Sequence, residues 1–358
     1  MKKKSFFYSG ILIVVFYYLV ISLSSCNKDV NPVKPNDTLP PVKPPDTISR
    51  YIWTPYWFNS ELFNLYAADT NALYIIGNNL LLFFNGVNLS LYNLNDPNFA
   101  VVNVYGYDKN NIFVYGQTVN NNIILPEIKK ITNGNINTYL LDNDYSLPLD
   151  ILVTGPNQAW FSSYNKNRLY YFDNGTIKKY SITDNDSISS GIFYLNKNNE
   201  LFVFARKLIY ATHGFLYSYK YINDNFQLLS SDCYDILNPD CLQDFIIRCG
   251  SDAIMIGYNT LIRYFNGNEW VLHSNLDSIG PVKIGGISKD SLVALFTPSN
   301  IYTYGGIKWR LENDAPHLII QNIRSSIEAK FGNIYMTYWD DVLGGYINIG
   351  RPNKNLKK

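Results

Sequence analysis

Residues Asn71-Ala-Leu-Tyr-Ile-Ile-Gly77 place a polar turn residue directly before a short apolar run. Six further segments have this form, and successive copies begin about 44 residues apart on average, close to the length of a four-stranded propeller blade. The period therefore indicates a repeat fold. The six segments are Asn111-Ile-Phe-Val-Tyr-Gly116, Gln158-Ala-Trp-Phe-Ser-Ser163, Glu200-Leu-Phe-Val-Phe-Ala205, Asp252-Ala-Ile-Met-Ile-Gly257, Asp290-Ser-Leu-Val-Ala-Leu295 and Asn333-Ile-Tyr-Met-Thr-Tyr338.

The second half of most repeats carries a hairpin signal. An aromatic strand runs into a tight turn, as in Leu82-Phe-Phe-Asn-Gly86 and Arg263-Tyr-Phe-Asn-Gly267. Asn-Gly between apolar runs predicts a type I′ turn, because both central residues of that turn need positive φ. Similar turns lie within residues 131–134, 170–175, 221–225 and 302–306. Together with the hairpin at the polar turn, each repeat becomes a four-stranded antiparallel meander.

The strand after the polar turn is apolar nearly throughout, as in Leu201-Phe-Val-Phe204. A sheet with one face in water would alternate apolar and polar residues, so both faces of this strand are covered. Blades stacked around a ring cover both faces of every sheet. The sequence predicts an all-β, seven-bladed β-propeller of four-stranded antiparallel blades, with six or eight blades as the alternative.

The ring needs a strand from elsewhere to complete its last blade. Residues 351–358 are short and basic and make a poor final strand, whereas residues 50–58 are aromatic and strand-like and have no repeat of their own. The latter resemble the outer-strand pieces at residues 268–272 and 307–311. We therefore expect residues 51–58 to complete the last blade, which removes an exposed seam from the ring.

One copy of the repeat, Ala253 to Trp270, resembles repeats that are common in secreted bacterial propellers. Their pattern is an apolar strand, a glycine, an aromatic residue before Asn-Gly or Asp-Gly, and then a tryptophan. The resemblance covers residues 60 to 350, although only Trp270 and Trp309 retain the tryptophan. It implies the fold and export from the cytoplasm, and it implies no particular chemistry.

Residues 1–25 have the features of a signal peptide. Lys2, Lys3 and Lys4 form a basic start, and an apolar run from Ile11 to Leu23 follows. At about 1.5 Å per residue this run is too short to cross a bilayer core of about 30 Å, so it suits a signal peptide better than a membrane span. An uncleaved anchor is the alternative.

The end of this segment, Leu23-Ser24-Ser25-Cys26, resembles the lipobox of bacterial lipoproteins. The resemblance implies that Cys26 is lipidated and becomes the first mature residue, with the membrane as its partner. In that family aspartate after the cysteine favours the inner membrane. Asn27 stands there in this chain, which implies the outer membrane and leaves the leaflet open.

Residues 26–50 contain Cys26, which the resemblance implies is lipidated, and six prolines, a composition that favours polyproline II over a packed core. Extended at about 3.1 Å per residue, the proline-rich part reaches roughly 60 Å. We expect it to hold the domain of residues 51–358 away from a membrane. A leader without a spacing role is the alternative.

Charge and cysteine usage limit the partners. Without residues 1–25 the chain carries 27 basic and 29 acidic residues, so there is no basic excess that would favour nucleic acid as a partner.

Cys233 and Cys241 flank a loop-like stretch and are predicted to form a disulfide in an oxidising compartment, whereas Cys249 is expected to be a buried free thiol. No histidine or cysteine spacing indicates a metal site, and we expect no cofactor and a monomer.

Ligand sites in propellers usually lie on the face formed by the loops between blades and between second and third strands. The richest such loop is Tyr338-Trp339-Asp340-Asp341, in which a ring suits stacking on a sugar and a carboxylate accepts hydroxyl protons. The alternative is a solvated turn with a packing tryptophan. Further candidate ligand-binding residues on loops of this kind are Gln117, Tyr164, Arg168 and Arg206.

No catalytic motif is present, so we expect a non-catalytic cell-envelope lipoprotein whose propeller is a rigid platform for a protein or polysaccharide. The first alternative is a glycoside hydrolase or polysaccharide lyase acting at the central face. That alternative needs carboxylates, or a tyrosine with an arginine, close to the axis, and an axis lined only by small and apolar groups would exclude it. The second alternative is a structural role in envelope assembly.

Overall fold

The structure is a computed structural model that describes residues 50–120, 123–141, 148–163, 167–183, 188–208, 213–235, 245–249, 252–256, 261–275, 283–296, 300–306, 309–312, 324–340 and 344–354. They form seven four-stranded antiparallel sheets, which confirms the predicted seven-bladed β-propeller. Within these ranges there is no helix long and apolar enough to cross a membrane.

Blades 1 to 6 each use four consecutive strands, ordered from the ring axis outward. Blade 1 contains β2 (Asn64–Asp69), β3 (Ala72–Gly77), β4 (Leu80–Phe84) and β5 (Leu89–Leu91). Blade 2 contains β6 (Phe99–Asp108), β7 (Asn111–Asn120), β8 (Ile123–Thr132) and β9 (Asn135–Leu140). Blade 3 contains β10 (Pro148–Gly155), β11 (Gln158–Ser163), β12 (Arg168–Asp173) and β13 (Thr176–Ser181).

The second half of the ring repeats this arrangement. Blade 4 contains β14 (Ser189–Leu195), β15 (Leu201–Leu208), β16 (His213–Ile222) and β17 (Asn225–Asp235). Blade 5 contains β18 (Phe245–Cys249), β19 (Asp252–Ile256), β20 (Leu261–Phe265) and β21 (Trp270–Asn275). Blade 6 contains β22 (Lys283–Ser288), β23 (Ser291–Phe296), β24 (Asn300–Tyr304) and β25 (Trp309–Leu311).

Blade 7 joins the two ends of the chain. It contains β26 (Arg324–Lys330), β27 (Asn333–Asp340) and β28 (Gly344–Pro352), and its outer strand is β1 (Tyr51–Phe58). β1 runs antiparallel to β28 with Tyr51 opposite Pro352 and Phe58 opposite Gly345. The prediction that residues 51–58 complete the last blade is therefore confirmed.

The core consists of seven apolar clusters, one between each pair of neighbouring blades. The second strands explain the arrangement. In β3, Leu73 and Ile75 pack against blade 7, whereas Tyr74 and Ile76 pack against blade 2. Successive side chains of a strand point to opposite faces. A strand between two blades must therefore be apolar at every position, as the sequence pattern indicated.

The predicted type I′ turns occur at some of the Asn-Gly sites and not at others. Both residues have positive φ at Asn133-Gly134 and at Asn174-Gly175. At Asn85 and Asn266 only the following glycine has positive φ, and each asparagine begins a four-residue loop. In both loops the asparagine side-chain oxygen accepts two backbone N–H groups, which stabilises the longer loop instead of the two-residue turn.

Candidate functional site in the central channel

The first strands of the seven blades surround a central channel. A cavity of about 660 Å³ lies in it, and all seven inner strands contribute to the wall. The charged residues of the wall are Asp150, Lys197, Arg248, Glu328 and Lys330. Ligand pockets are typically concave and gather a few polar groups from several elements. The channel is therefore the candidate functional site.

Asp150 and Arg248 form an ion pair in this wall. Arg248 Nη2 donates a hydrogen bond to Asp150 Oδ1 at 2.9 Å. The backbone N–H of Phe193, on the inner strand of blade 4, donates to Asp150 Oδ2 at 3.0 Å. Burial raises the pKa of Asp150, and Arg248 and the Phe193 N–H group oppose the shift. Both carboxylate oxygens are thus used in contacts that join blades 3, 4 and 5.

Glu328 and Lys330 lie two residues apart on β26. Glu328 Oε2 accepts a hydrogen bond from the backbone N–H of Ala67 in blade 1, and Oε1 lies 4.0 Å from Lys330 Nζ. Burial raises the pKa of Glu328 to about 7, although Lys330, the Ala67 N–H group and Arg248 lower it. Burial also lowers the pKa of Lys330. This pair titrates closer to neutrality than the same groups do in water.

Two tyrosine rings lie against the cations of the channel. Lys330 Nζ is 4.0 Å from the ring centroid of Tyr66, and the guanidinium carbon of Arg248 is 5.2 Å from that of Tyr105. Such cation–π contacts stabilise a partly desolvated cation. Burial, followed by the field of Glu328, raises the pKa of Tyr105 to about 12, so this phenol stays protonated at neutral pH.

Amide side chains join the inner strands of blades 7, 1, 2 and 3. Asn64 Nδ2 donates to Asn103 Oδ1 at 3.0 Å, and Ser326 Oγ donates to Asn64 Oδ1 at 3.1 Å. Asn103 Nδ2 donates to the carbonyl oxygen of Leu149 at 3.0 Å. These polar groups satisfy one another, so their role in the described structure is to hold neighbouring strands in place.

One side chain of the channel wall has a buried polar atom without a hydrogen-bond partner. Arg248 Nη1 is buried and has no hydrogen-bond partner in the part of the chain that the structure describes. Buried N–H groups are nearly always hydrogen-bonded to protein, water or a ligand. Arg248 therefore carries one buried donor that the described structure leaves unsatisfied.

The axis is thus lined by more than small and apolar groups. Two carboxylates, Asp150 and Glu328, and a tyrosine with an arginine, Tyr105 and Arg248, all lie at the channel wall. An axis lined only by small and apolar groups, which would exclude the glycoside hydrolase or lyase alternative, is therefore not observed.

The candidate residues of the Tyr338 loop lie away from this cavity. Tyr338 is 3% exposed and its ring stacks on that of Tyr346 at 4.8 Å, and its hydroxyl oxygen accepts a hydrogen bond from Asn348 Nδ2 at 3.3 Å. Trp339 is half-buried on β27, and Asp340 ends that strand. Asp341 lies outside the described residues.

The other candidates are distributed over three blades. Gln117 is on β7 with a buried side-chain oxygen, Arg168 begins β12, and Arg206 is half-buried on β15. Tyr164 lies outside the described residues. None of the described candidates belongs to the wall of the central cavity.

Sequence reasoning missed the charged residues of the wall. Arg248 stands inside β18, one residue before that strand ends, and Glu328 stands inside β26, two residues before its end. A charge within a strand that is apolar elsewhere is a signal in the sequence, as in Phe245-Ile-Ile-Arg-Cys249. The candidate residues were expected on loops between second and third strands, so they did not include this inner-strand charge.

The cysteines differ in state. Cys233 is disulfide-bonded, and its predicted partner Cys241 lies outside the described residues. Cys249 is a free, fully buried thiol in the core between blades 5 and 6, as expected from its strand-like context. Burial raises the pKa of this thiol, which keeps it protonated and unreactive.

Metal ligands do not cluster in the described residues. Within them no group of three or more His, Cys, Asp or Glu side chains could hold a metal ion. His213 begins β16, and the His273 ring on β21 lies edge-on to Tyr264 and Tyr304. Both histidines lie outside the cavity wall.

Solved β-propellers share this fold. Virginiamycin B lyase from Staphylococcus aureus is 15% identical, covers 84% of this chain and 100% of its own, and has a TM-score of 0.61. A streptogramin B lyase is 13% identical over 85% of this chain and 98% of its own, with a TM-score of 0.60. YCF48 bound to D1 peptide is 13% identical over 84% of this chain and 97% of its own, with a TM-score of 0.57.

At these identities the likeness shows the fold alone, and the neighbours include both enzymes and a peptide-bound propeller. No protein-family model and no curated protein matches the sequence.

Proposed function

We propose that this protein is a non-catalytic cell-envelope lipoprotein, anchored in the outer membrane through Cys26, whose propeller binds a protein or polysaccharide partner. The non-catalytic part of this proposal rests on one observation. Both oxygens of Asp150 are used, one by Arg248 and one by the Phe193 N–H group. A glycoside hydrolase needs two carboxylates that act on one bond, and the contacts on both oxygens of Asp150 make it poorly suited to be the second.

Tyr105 supports the same conclusion. A lyase base must lose its proton near the working pH, and a tyrosine whose pKa is raised to about 12 is poorly suited to that task. A cavity of about 660 Å³ lies within the usual size of ligand pockets. The YCF48 structure holds a peptide, which supports binding as a use of this fold.

Mass spectrometry tests the anchor. Protein from the membrane fraction of a bacterial host should carry the mass of a lipid on Cys26, and Cys26→Ser should be unmodified and move to the soluble fraction. An unmodified wild-type cysteine would overturn this part of the proposal. Since a membrane span would also retain the chain, the lipid mass is the deciding measurement and fractionation is secondary.

Arrays test the binding platform. Purified full-length protein is applied to glycan and peptide arrays, with the heat-unfolded protein as a control for nonspecific retention. Saturable binding to a defined glycan or peptide by the folded protein alone supports the proposal. Absence of binding on both arrays counts against it and favours the role in envelope assembly.

A second candidate is a glycoside hydrolase or polysaccharide lyase acting at the central face. Glu328 favours it, because a buried carboxyl with a pKa of about 7 suits proton transfer at neutral pH. Polysaccharide digestion followed by new reducing ends or unsaturated products tests it. Activity lost in Glu328→Gln and kept in Glu200→Gln, which changes an ion pair outside the cavity, would replace the first proposal with this one.

A further inference from the structure

The polar turn of blade 4 differs from those of the other blades. Between its first and second strands blade 4 has five residues, Asn196-Lys-Asn-Asn-Glu200, whereas each of the other six blades has two. Insertions in single repeats often form the binding face of a repeat protein. The longer turn is therefore a place where blade 4 has more residues than the fold requires.

Hydrogen bonds within this turn stabilise it. Asn196 Oδ1 accepts the backbone N–H groups of Asn198 and Glu200, each at 2.9 Å. The backbone N–H of Asn199 donates to the carbonyl oxygen of Asn196 at 3.0 Å. Lys197, Asn198 and Asn199 at the tip of the turn are exposed. An ordered turn with exposed polar side chains loses little conformational freedom when it binds a ligand.

The turn lies between two cavities. Asn196 and Lys197 line the central cavity and also a second cavity of about 470 Å³ between blades 4 and 5. The opposite wall of the second cavity is the loop between β20 and β21, with Asn266, Gly267 and Asn268. Because two residues line both cavities, the second cavity adjoins the first and forms a groove that runs outward from the channel.

The second cavity offers little surface to an apolar ligand. Of its described lining residues, Tyr194 and Phe265 are 4% and 2% exposed, so protein covers their rings. Tyr264 is the remaining aromatic residue, and Lys289 Nζ lies 5.4 Å from its ring centroid. An apolar body would therefore displace water from polar groups and gain few apolar contacts.

The charges of this cavity are balanced. Its described lining carries two lysines, Lys197 and Lys220, and two carboxylates, Glu200 and Asp252. Lys220 pairs with Glu200, and Asp252 Oδ2 accepts the backbone N–H of Lys289 at 2.7 Å. A polyanion such as a nucleic acid needs an excess of cations, so the cavity favours an uncharged polar ligand.

Amide side chains predominate among the exposed lining residues. Asn198, Asn266 and Asn268 are exposed around the second cavity. An amide both donates and accepts hydrogen bonds, as do the hydroxyl groups of a sugar. A peptide strand would instead pair with a strand edge or insert apolar side chains into pockets, and the walls of this groove are turns. These features favour a carbohydrate.

We propose that the groove between blades 4 and 5 binds an uncharged oligosaccharide, whose hydroxyl groups contact Lys197 on the inner turn and Asn268 on the outer loop. Neighbouring strands lie about 4.8 Å apart, so the four strands of a blade span about 15 Å from the channel to the rim. A ligand that contacts both walls therefore contains several sugar rings. The inference rests on the proposed function and narrows its partner to a polysaccharide.

Calorimetry with matched probes tests the inference. Purified full-length protein is titrated with cellohexaose, xylohexaose, mannohexaose, maltohexaose, laminarihexaose and chitohexaose, and each is compared with its disaccharide. We expect at least one hexasaccharide to bind about ten-fold more tightly than its disaccharide, because the shorter ligand loses hydrogen bonds at one wall. Binding of none of them, or equal binding of every hexasaccharide and its disaccharide, would overturn the inference.

Variants on the two walls locate the binding. Lys197→Ala and Asn268→Ala should each bind the hexasaccharide about three- to ten-fold more weakly. The controls are Lys109→Ala in the polar turn of blade 2 and Asn88→Ala in the outer loop of blade 1, which remove equally exposed side chains outside both cavities. Far-ultraviolet circular dichroism confirms that all four variants are folded. Unchanged affinity in either groove variant, or an equal loss in its control, would overturn the inference.

Failure of this inference can be told apart from failure of the proposed function. A glycan that binds the wild type and both groove variants equally keeps the platform role and places its site elsewhere. A peptide that binds the wild type and loses affinity in both groove variants keeps the platform role and assigns the groove to a peptide, which overturns the carbohydrate. Absence of binding on the arrays and of every hexasaccharide contradicts both proposals.

Discussion

The backbone N–H of Asn353 donates a hydrogen bond to the carbonyl oxygen of Arg50 at 2.8 Å, and this contact continues the pairing of β1 with β28. β1 also contacts both neighbouring blades. Trp53 packs with Val293 and Leu295 of blade 6, and Tyr56 lies edge-on to Phe84 of blade 1 at 4.9 Å. The outer strand of blade 7 therefore holds three blades together.

Deletion of residues 51–58 should lower the melting temperature by about 10 °C or more, because it removes these contacts and leaves β28 as an unpaired edge. The matched control is deletion of residues 40–47 in the proline-rich segment, which should leave the melt unchanged. Thermal unfolding followed by circular dichroism measures both. A melt unaffected by the first deletion would show that the ring closes without β1.

Phe331→Asn should stabilise the protein. Phe331 has φ of 54° in the turn before β27, and every other non-glycine residue with positive φ in the described structure is Asn or Asp. A bulky residue held in this region costs of order 1 kcal/mol, and half of this side chain is exposed, so little burial is lost. The converse change, Asn174→Phe in a similar turn, should destabilise. Urea unfolding measures both, and a loss of stability in Phe331→Asn would contradict the prediction.

Glu328 should make stability fall as pH rises. Its folded-state pKa is about 7 against the usual 4.5 of a glutamate in water, so the folded protein binds this proton more tightly than the unfolded chain does. The stabilisation by the protonated form is present below about pH 4.5 and is lost as pH rises to about 7. Lys330 interacts with this carboxyl from the same strand. Further ionisable groups interact with it from four other strands, and they are Arg248, Tyr66, Tyr105 and Tyr335.

Glu328→Gln removes this titration and keeps an oxygen for the Ala67 N–H group. Relative to the variant, the wild type should lose roughly 3 kcal/mol between pH 4.5 and pH 8. Glu200→Gln is the control with the opposite sign, because its bond to Lys220 lowers the pKa of Glu200 and so stabilises the folded protein at higher pH. Urea unfolding at a series of pH values gives both profiles. Parallel profiles for wild type and Glu328→Gln would refute the assignment.

Arg248→Met should destabilise strongly, by about 3 to 5 kcal/mol, since it leaves the buried carboxylate of Asp150 without its cation. Adding Asp150→Asn removes that charge and keeps an acceptor for the Phe193 N–H group. The double variant should therefore recover much of the loss, with a coupling of about 1 to 3 kcal/mol. Equilibrium urea unfolding of the four proteins measures the cycle. Additive losses would mean that the two residues do not interact in solution.

The fold could be predicted because its signals are local and repeated. The period of the polar turns predicted the length of a blade, and their seven copies predicted seven blades. Continuous apolar strands such as β3 indicated that both faces of each sheet are covered. The strand-like residues 51–58 had no repeat of their own, and only the last blade lacked an outer strand. Each of these inferences depended only on residues close together in the sequence or on the number of repeats.

The charged site could not be predicted in the same way. Asp150, Arg248 and Glu328 come from three different blades and meet only when the ring is closed. Which residues of an inner strand face the channel also depends on β-bulges. Four inner strands contain an irregularity close to their polar turn, as between Ala67 and Asp69 or between Val153 and Gly155. One extra residue moves the following side chains to the other face.

The pairing of the first strand with the last also governs how the ring assembles. During synthesis β1 leaves the ribosome long before β28, so it must wait for a partner from the opposite end of the chain. Contacts of such large sequence separation are slow to form, and a waiting strand edge favours aggregation. We therefore expect folding to end with a slow closing step. A chaperone that shields residues 51–58 should raise the yield of closed rings more than it changes their stability.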